Sequence, residues 1–526
     1  MNQDALHHPP LMPHLLIEAL YRYDERPCLL LGDRAVSYRE LRESTSKMVQ
    51  ALQAKGLKKG SRVAVISANR PEVLANIAAM QLLGCIGTPL HPLGSLDDHA
   101  YVLEAANIDA LIFDASLFNE HASKLRERVP ALKVLLGFGP NTAGDDYLAL
   151  ADRFQPQHLS APDVMPEEVS SIVFTGGTTG KPKGVMSTHQ VTAYMTQIQL
   201  AEWEFPEEVR MLMATPLSHA AAAFFIPVLQ KGGAFYVMQG FSPDEFFDLV
   251  EQHRITCTML VPIMLNFLLD SARAGEADMS SMETIFYGAS PISPARLQQG
   301  IALWGQIFYQ FYGQSEAPMV LANLRRGDHD PNKPQRLAAC GRPSPWVHLA
   351  LLDQTGEPVP HGEAGEICVR GPLVMKGYKD MPAETAQAFA GGWLHTGDVG
   401  RFDEDGFLYI VDRTKDMIVS GGFNVFPREV EDVLATHDAV SQVAVIGVPD
   451  EQWGEAVKAV VVLQNNAVAN ADLSSELQQL VKQHKGSVQT PKSIDYVDAI
   501  PITPVGKPDK KALRQRYWEG HDRGIA

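Results

Sequence analysis

The sequence predicts an α/β fold: a large N-terminal domain of α/β sheets with a small β-barrel-like subdomain, then a small α+β C-terminal domain. Three observations support this. Strand and helix patterns alternate through roughly the first 160 residues and again between about 230 and 290, as in mostly parallel sheets covered by helices. From about residue 340, short apolar runs lie between turn-rich stretches. After Asp412 a compact strand–helix unit begins. A chain of 526 residues exceeds what one hydrophobic core supports, so two domains are expected, 1–412 and 413–526.

Taken in order, Ser37-Tyr38-Arg39-Glu40 has the Ser-x-x-Glu spacing of a capping box, in which each side chain satisfies the other residue's backbone N–H. It opens an amphipathic helix to about Ala54. Arg62-Val63-Ala64-Val65-Ile66 is strand-like, and a helix containing Pro71-Glu72-Val73-Leu74-Ala75 follows. Ala110-Leu111-Ile112-Phe113, Val134-Leu135-Leu136 and Ser171-Ile172-Val173-Phe174 read as buried strands. So do Gly233-Ala234-Phe235-Tyr236-Val237, Cys257-Thr258-Met259-Leu260-Val261 and Thr284-Ile285-Phe286-Tyr287. His348-Leu349-Ala350-Leu351-Leu352 and Gly365-Glu366-Ile367-Cys368-Val369 begin the antiparallel β subdomain. Asp353-Gln354-Thr355-Gly356 and Asp403-Glu404-Asp405-Gly406 read as its hairpin turns. In the C-terminal domain, strands are expected over 441–447 and 457–463, and helices over about 427–436 and 473–485. The second helix shows Leu473, Leu477, Leu480 and Val481 at helical spacing.

Composition narrows the class. Hydrophobic content of 45% with 20% charged residues is that of an ordinary globular protein, and a net charge of −17 argues against a nucleic-acid binder. Five scattered cysteines without a Cys-x-x-Cys pair argue against a disulfide framework or a structural zinc, and suit a reducing cytoplasm. Met1 to Pro13 has neither Lys nor Arg, unlike a secretory leader, and Met211 to Leu229 is broken by Pro216, Ser218, His219 and Pro227. A cytoplasmic protein without an integral membrane segment is expected, with loose membrane association left open.

The most informative stretch is Thr175-Gly176-Gly177-Thr178-Thr179-Gly180-Lys181-Pro182-Lys183-Gly184, between Ser171-Ile172-Val173-Phe174 and the apolar Val185-Met186. Glycine lets backbone N–H groups converge on a ligand, because no Cβ blocks the approach. Converging N–H groups, hydroxyls and a nearby ammonium make a polyphosphate cradle, although a plain surface loop has the same composition. Pro182 stands where a Walker A loop requires Ser or Thr, and no Gly-x-Gly-x-x-Gly opens a helix as in a Rossmann fingerprint. The run instead resembles the phosphate loop of the adenylate-forming superfamily, which includes acyl-CoA synthetases, luciferases and peptide-synthetase adenylation domains.

Five further segments fit that superfamily in the same order. Pro216-Leu217-Ser218-His219 precedes Ala220 to Ala223, Phe224 and Phe225. By resemblance His219 lies against the carboxylate substrate; read from residues alone, a histidine beside apolar residues is more often a satisfied structural one. Tyr287-Gly288-Ala289-Ser290-Pro291 would lie beside adenine. In Phe311-Tyr312-Gly313-Gln314-Ser315-Glu316, the resemblance has Tyr312 stack on adenine, Ser315 touch the α-phosphate and Glu316 hold Mg²⁺. Ser315 replaces the more usual threonine and keeps the hydroxyl. Trp393-Leu394-His395-Thr396-Gly397-Asp398 supplies Asp398, which in the family accepts from both ribose hydroxyls; a carboxylate suits this because it is acceptor-only. Asp412 to Glu431 supplies Arg413 as a ribose and phosphate contact, Lys415 as the hinge of a mobile C-terminal domain, and Gly421-Gly422 as a wall of the pantetheine tunnel. Pro501-Ile502-Thr503-Pro504-Val505-Gly506-Lys507 places the family's catalytic lysine on Lys507.

The resemblance implies that a carboxylate attacks the α-phosphorus of ATP, releasing pyrophosphate, and that the acyl group of acyl-AMP then passes to the thiol of coenzyme A. Lys507, Glu316, Thr175 and His219 are the expected catalytic residues. The nucleotide and CoA contacts are Thr175, Gly176, Gly177, Thr178, Thr179, Gly180, Lys183, Gly288, Ala289, Ser290, Tyr312, Gly313, Gln314, Ser315, Asp398, Arg413, Lys415, Gly421 and Gly422. Expected partners are a small carboxylic acid, ATP and CoA, with a homodimer left open. Ala220 to Ala223, Phe224, Phe225, Met264 and Met319 suggest a pocket for an aliphatic, alicyclic or aromatic acid, or else are plain core. The Thr175-Gly176-Gly177 start resembles some fatty-acid ligases. A stand-alone enzyme loading a carrier protein shares the first half-reaction, a luciferase-like oxygenase shares the fold, and an idle nucleotide-binding scaffold would have no reason to keep Glu316, Asp398, Arg413 and Lys507 together.

Overall fold

The structure, a computed structural model, describes residues 8–31, 34–175, 182–413, 416–420, 423–450, 453–464, 467–502 and 508–518. Two compact units are present: Met1–His348 with Val369–Leu394, and Leu349–Cys368 with His395–Ala526.

The first unit contains two large sheets. One has eight strands in the order Gly377–Tyr378, Lys183–Thr188, Val169–Thr175, Ile86–Pro89, Arg62–Ile66, Ala110–Asp114, Val134–Phe138 and Asp145–Asp146. The other has nine, running from Arg342–Pro343 through Ala317–Leu324, Phe308–Gln314, Thr284–Gly288, Cys257–Leu260, Arg210–Met213, Ala234–Val237 and Pro27–Leu31 to Arg34–Ser37. The interior pairings are parallel, and antiparallel pairs sit toward the edges.

Local signals start the elements where the residues require. Ser37 accepts from the Glu40 N–H and Glu40 from the Ser37 N–H, so Tyr38–Ala54 begins with a closed capping box. Proline opens Pro71–Leu83, where its missing N–H has no helical partner to lose. Val169–Thr175 buries only Ser170 and Ile172 and leaves its other residues half-buried, where a buried strand is expected over 171–174. The reason is its pairing: Lys183–Thr188 folds back on it as an antiparallel hairpin, Thr175 opposite Lys183. Phe246, Phe247, Leu265, Leu268, Ile285 and Tyr287 form one core between helices and the nine-stranded sheet, and Leu103, Leu111, Phe113 and Leu125 another beside the eight-stranded one.

The second unit holds a four-stranded sheet, ordered His348–Leu352, Gly365–Arg370, Leu394–Phe402 and Leu408–Arg413. The expected turn at Asp403 to Gly406 joins its last two strands, Asp403 accepting from the Asp405 and Phe407 N–H groups. A five-stranded sheet is built on the long pair Val440–Asp450 and Gly454–Leu463, packed by Pro427–Leu434 and Ala471–Lys485 over Val445, Val457, Val461, Leu477 and Val481.

His329 is fully buried, bonding through Nδ1 to the Arg325 carbonyl and through Nε2 to the Tyr287 hydroxyl. Burial lowers its pKa from 6.5 to about 4. An unfolded chain therefore takes up this proton near pH 6.5, while the folded chain resists until about 4. The contribution to stability is full above pH 6.5 and is lost as pH falls toward 4. At about 1.4 kcal/mol per unit, some 2 kcal/mol should disappear between pH 7 and pH 5. In His329→Gln, the drop in urea midpoint over that interval should be smaller than in the parent; equal drops would reject the assignment.

Candidate active site

In open α/β sheets, ligands bind beyond the carboxyl ends of the strands. Several of the sequence-predicted residues lie there. Thr284–Gly288 ends at Gly288, opposite Phe311 of Phe308–Gln314. A Cβ on Gly288 would come within 2.4 Å of the Phe311 carbonyl oxygen, so no larger residue fits without moving backbone. Gly313 is equally confined, 2.2 Å from the Met319 amide nitrogen by the same measure. Ala289 and Met319 adopt φ of 67° and 58°, a left-handed conformation that costs a side-chain-bearing residue about 1–2 kcal/mol. Such strain collects at functional sites, and here it falls inside one expected adenine-side segment, at Ala289, and just past the other, at Met319. Tyr312 is 8% exposed, and Ser290 is half-buried.

Ser315 and Glu316 form the tip of an antiparallel hairpin in which Gln314 pairs with Ala317. The Met375 N–H donates to the Glu316 carbonyl at 2.8 Å, and the Tyr378 hydroxyl donates to Glu316 Oε1 at 3.0 Å. Glu316 Oε2 has no hydrogen-bond partner among the described residues. Tyr378 pairs with Val185, and Lys183, two residues back on the same strand face, holds its ammonium 4.9 Å from the centre of the tyrosine ring. Burial, then the Glu316 charge, raises the Tyr378 pKa. The strand Lys183–Thr188 and the acidic hairpin, 133 positions apart in sequence from Lys183 to Glu316, therefore meet through Tyr378. No motif contains Tyr378. Its only sequence signal was the isolated Lys376-Gly377-Tyr378 between two turn-rich stretches.

His219 is held from two sides. Buried Asn69, beyond the strand Arg62–Ile66, donates to the Thr215 carbonyl and accepts from the Leu217 N–H, fixing the chain that leads to it. Ser218 Oγ lies 2.8 Å from His219 Nδ1, and the His91 ring meets the His219 ring edge-on at 4.7 Å. Although part of its surface is open, crowding by protein atoms, with His91 adding to it, lowers its pKa to about 4, so the ring is neutral near pH 7. No hydrogen bond, ion pair or ring contact joins His219 to Glu316 or Lys183 among the described residues. Phe224 and Phe225 are core: Phe224 packs 5.3 Å from Trp203 and 5.2 Å from Phe286, and Phe225 5.8 Å from Phe235. Ala220, Ala222 and Ala223 of the short helix Ala220–Phe224 stay partly open.

In the second unit, Asp398 is 6% exposed and stands opposite Arg413 across an antiparallel pair. Its N–H donates to Thr396 Oγ1, whose hydroxyl donates to the Ile367 carbonyl. Gly176, Gly177, Thr178, Thr179, Gly180, Lys415, Gly421, Gly422 and Lys507 lie outside the described residues, as does the side chain of Arg413. Strands Ile418–Ser420 and Phe423–Val425 pair Ser420 with Phe423, and Ile502 bridges to Pro508.

This architecture, two large sheets with a separate small α+β unit, is that of the adenylate-forming enzymes. The family model of the AMP-binding enzyme matches residues 16–379, and that of its C-terminal domain residues 429–507. The chain is 52% identical to the medium/long-chain-fatty-acid–CoA ligase FadD8 of Mycobacterium tuberculosis, over 99% of this chain and 93% of the relative. It is 35% identical to a feruloyl-CoA synthase of Amycolatopsis, over 92% and 95%. Among solved structures, the amide bond synthetase McbA of Marinactinospora thermotolerans superimposes with a TM-score of 0.87 at 33% identity, covering 95% of this chain and 99% of that one. The chain belongs to the AMP-binding enzyme family. It is an ATP-dependent carboxylic acid:CoA ligase, an acyl-CoA synthetase that passes through acyl-AMP.

Proposed function

We propose that the acid activated is a medium- to long-chain fatty acid, and that Glu316, Lys183, Asp398, Arg413 and Lys507 carry its adenylation. The observation that supports the residue assignment is the Lys183–Tyr378–Glu316 line, in which a cation and a carboxylate meet on one tyrosine. The acid class is supported by the 52% relative and by the small, partly open residues Ala220, Ala222 and Ala223 that follow His219.

Carboxylate and α-phosphate are both anions, so cations must offset their repulsion and the charge that grows in the transition state. Lys183 and Lys507 supply fixed positive charge, and the N–H groups of 175–184 hold phosphate oxygens. Glu316, with one carboxylate oxygen to spare, suits Mg²⁺, which binds through one or two carboxylates and substrate phosphates and keeps several waters. Bound there, Mg²⁺ would neutralise phosphate charge. Asp398, acceptor-only, orients the ribose. Neutral His219 borders the carboxylate without adding charge.

Acyl-AMP is a mixed anhydride and must be kept from water until the thiol arrives. Two arrangements of residues 413–526 meet that need, one presenting Lys507 to ATP and one, after rotation near Lys415, bringing Gly421-Gly422 to the acyl adenylate. We also propose a cytoplasmic setting, which the free, buried cysteines suit, with the chain acting alone or as a homodimer. Among the described residues no helix is long and apolar enough to cross a membrane.

Pyrophosphate release and thioester formation over straight-chain, branched, alicyclic and aromatic acids test the substrate class. The highest kcat/KM should fall on medium to long straight chains. A maximum on an aromatic or alicyclic acid would overturn that class while leaving the ligase chemistry intact.

A further inference from the structure

The five cysteines show no zinc-like spacing in sequence, but strand pairing brings one of them to two other metal-ligand types. Glu366 and Cys368 are two residues apart on Gly365–Arg370, so their side chains leave one face of the sheet. His395 is on the neighbouring strand Leu394–Phe402. Its Nδ1 lies 2.8 Å from Glu366 Oε2 and 3.5 Å from Cys368 Sγ, and the three donor atoms are all within 4.8 Å of one another.

We propose that Glu366, Cys368 and His395 form a binding site for one thiophilic divalent cation of the zinc type, with water completing a tetrahedral shell. Zinc takes sulfur at ~2.3 Å and nitrogen at ~2.0–2.1 Å, which at a tetrahedral angle sets the two donors about 3.5 Å apart. The Cys368–His395 separation already has that value. The shorter Glu366–His395 distance is that of a hydrogen bond; an ion takes the place of that shared proton and spreads the pair by about half an ångström. A sulfur–nitrogen–oxygen donor set favours zinc-like ions over Mg²⁺ or Ca²⁺, which take oxygen. Cys368 is fully buried, whereas the Glu366 and His395 side chains are 25% and 24% exposed, which leaves an entry path and room for a water. Glu366 Oε1 also accepts from the Gly397 N–H at 2.9 Å, so an occupant is tied to the backbone that carries Asp398.

The test titrates Co²⁺ into reduced, chelator-treated full-length protein. One equivalent should raise thiolate-to-cobalt charge-transfer absorption in the near ultraviolet and tetrahedral bands in the visible. Zn²⁺ should abolish both at the same stoichiometry, and excess Mg²⁺ should leave them. Cys368→Ser should remove the charge-transfer absorption, and Glu366→Gln and His395→Asn should each weaken binding about tenfold or more. Where Cys368→Ser fails to fold, His395→Asn decides, because that side chain is only partly buried whereas Cys368 is fully so. No charge-transfer absorption with the parent at micromolar Co²⁺, the same absorption in Cys368→Ser, or parental affinity in His395→Asn overturns the site.

Discussion

Lys507→Ala should lose ATP-dependent acyl-adenylate formation by ~10²–10³-fold, roughly 3–4 kcal/mol of transition-state stabilisation, while still converting preformed acyl-AMP and CoA to thioester at close to the parent rate. The asymmetry follows from charge. Adenylation brings two anions together at phosphorus, and an ammonium aimed there acts only as the charge develops. Thioester formation begins from acyl-AMP, whose carbonyl is already activated and whose leaving group is already made. An ammonium needed in the first step and absent from the second must withdraw, which is the reason for placing a hinge near Lys415. Pyrophosphate release measures the first half, and thioester yield from synthetic acyl-AMP measures the second. Equal losses in both would sink the two-arrangement reading, because Lys507 would then serve one site throughout.

Glu316→Gln should lower adenylation by a similar ~10²–10³-fold and raise the Mg²⁺ concentration needed for half-maximal rate. The amide keeps the volume and can still accept the Tyr378 hydroxyl, so the change isolates the charge from the packing. Tyr378→Phe makes the complementary test. It removes one hydrogen bond to a carboxylate and keeps the ring under Lys183, so a loss of about tenfold is expected, near 1.4 kcal/mol. The ordering of the two variants carries the information. A Tyr378→Phe defect as large as that of Glu316→Gln would mean that the tyrosine hydroxyl, not the carboxylate charge, is the working group. Parental activity in Glu316→Gln would remove Glu316 from the site.

Much of this protein was legible in one dimension. Ser37 and Glu40 announce a capping box, and the box starts a helix at Tyr38. Arg62–Ile66, Ala110–Asp114 and Thr284–Gly288 are strands where apolar runs marked them. The glycines at 288 and 313 are required by contacts closer than 3 Å to backbone, a constraint that leaves a residue-type signature. These features are local: a cap, a turn or a buried run is fixed by neighbours within a few positions, and so it shows in the order of residue types.

The remainder depended on which strands pair. Phe224 and Phe225 could as well have lined an acyl pocket, and only their packing against Trp203, Phe286 and Phe235 makes them core. Tyr378 carries no motif, yet an edge pairing with Val185 sets it between Lys183 and Glu316. Cys368 looked isolated until Leu394–Phe402 brought His395 beside it. Each contact joins residues of different elements, and its energy comes from side chains meeting in the folded chain. The hydrophobic period records that a face is buried without recording its neighbour. Local residue order thus encodes the elements, the glycine positions and the family, while the choice of partners across the sheets is made only when the folded chain brings distant faces together.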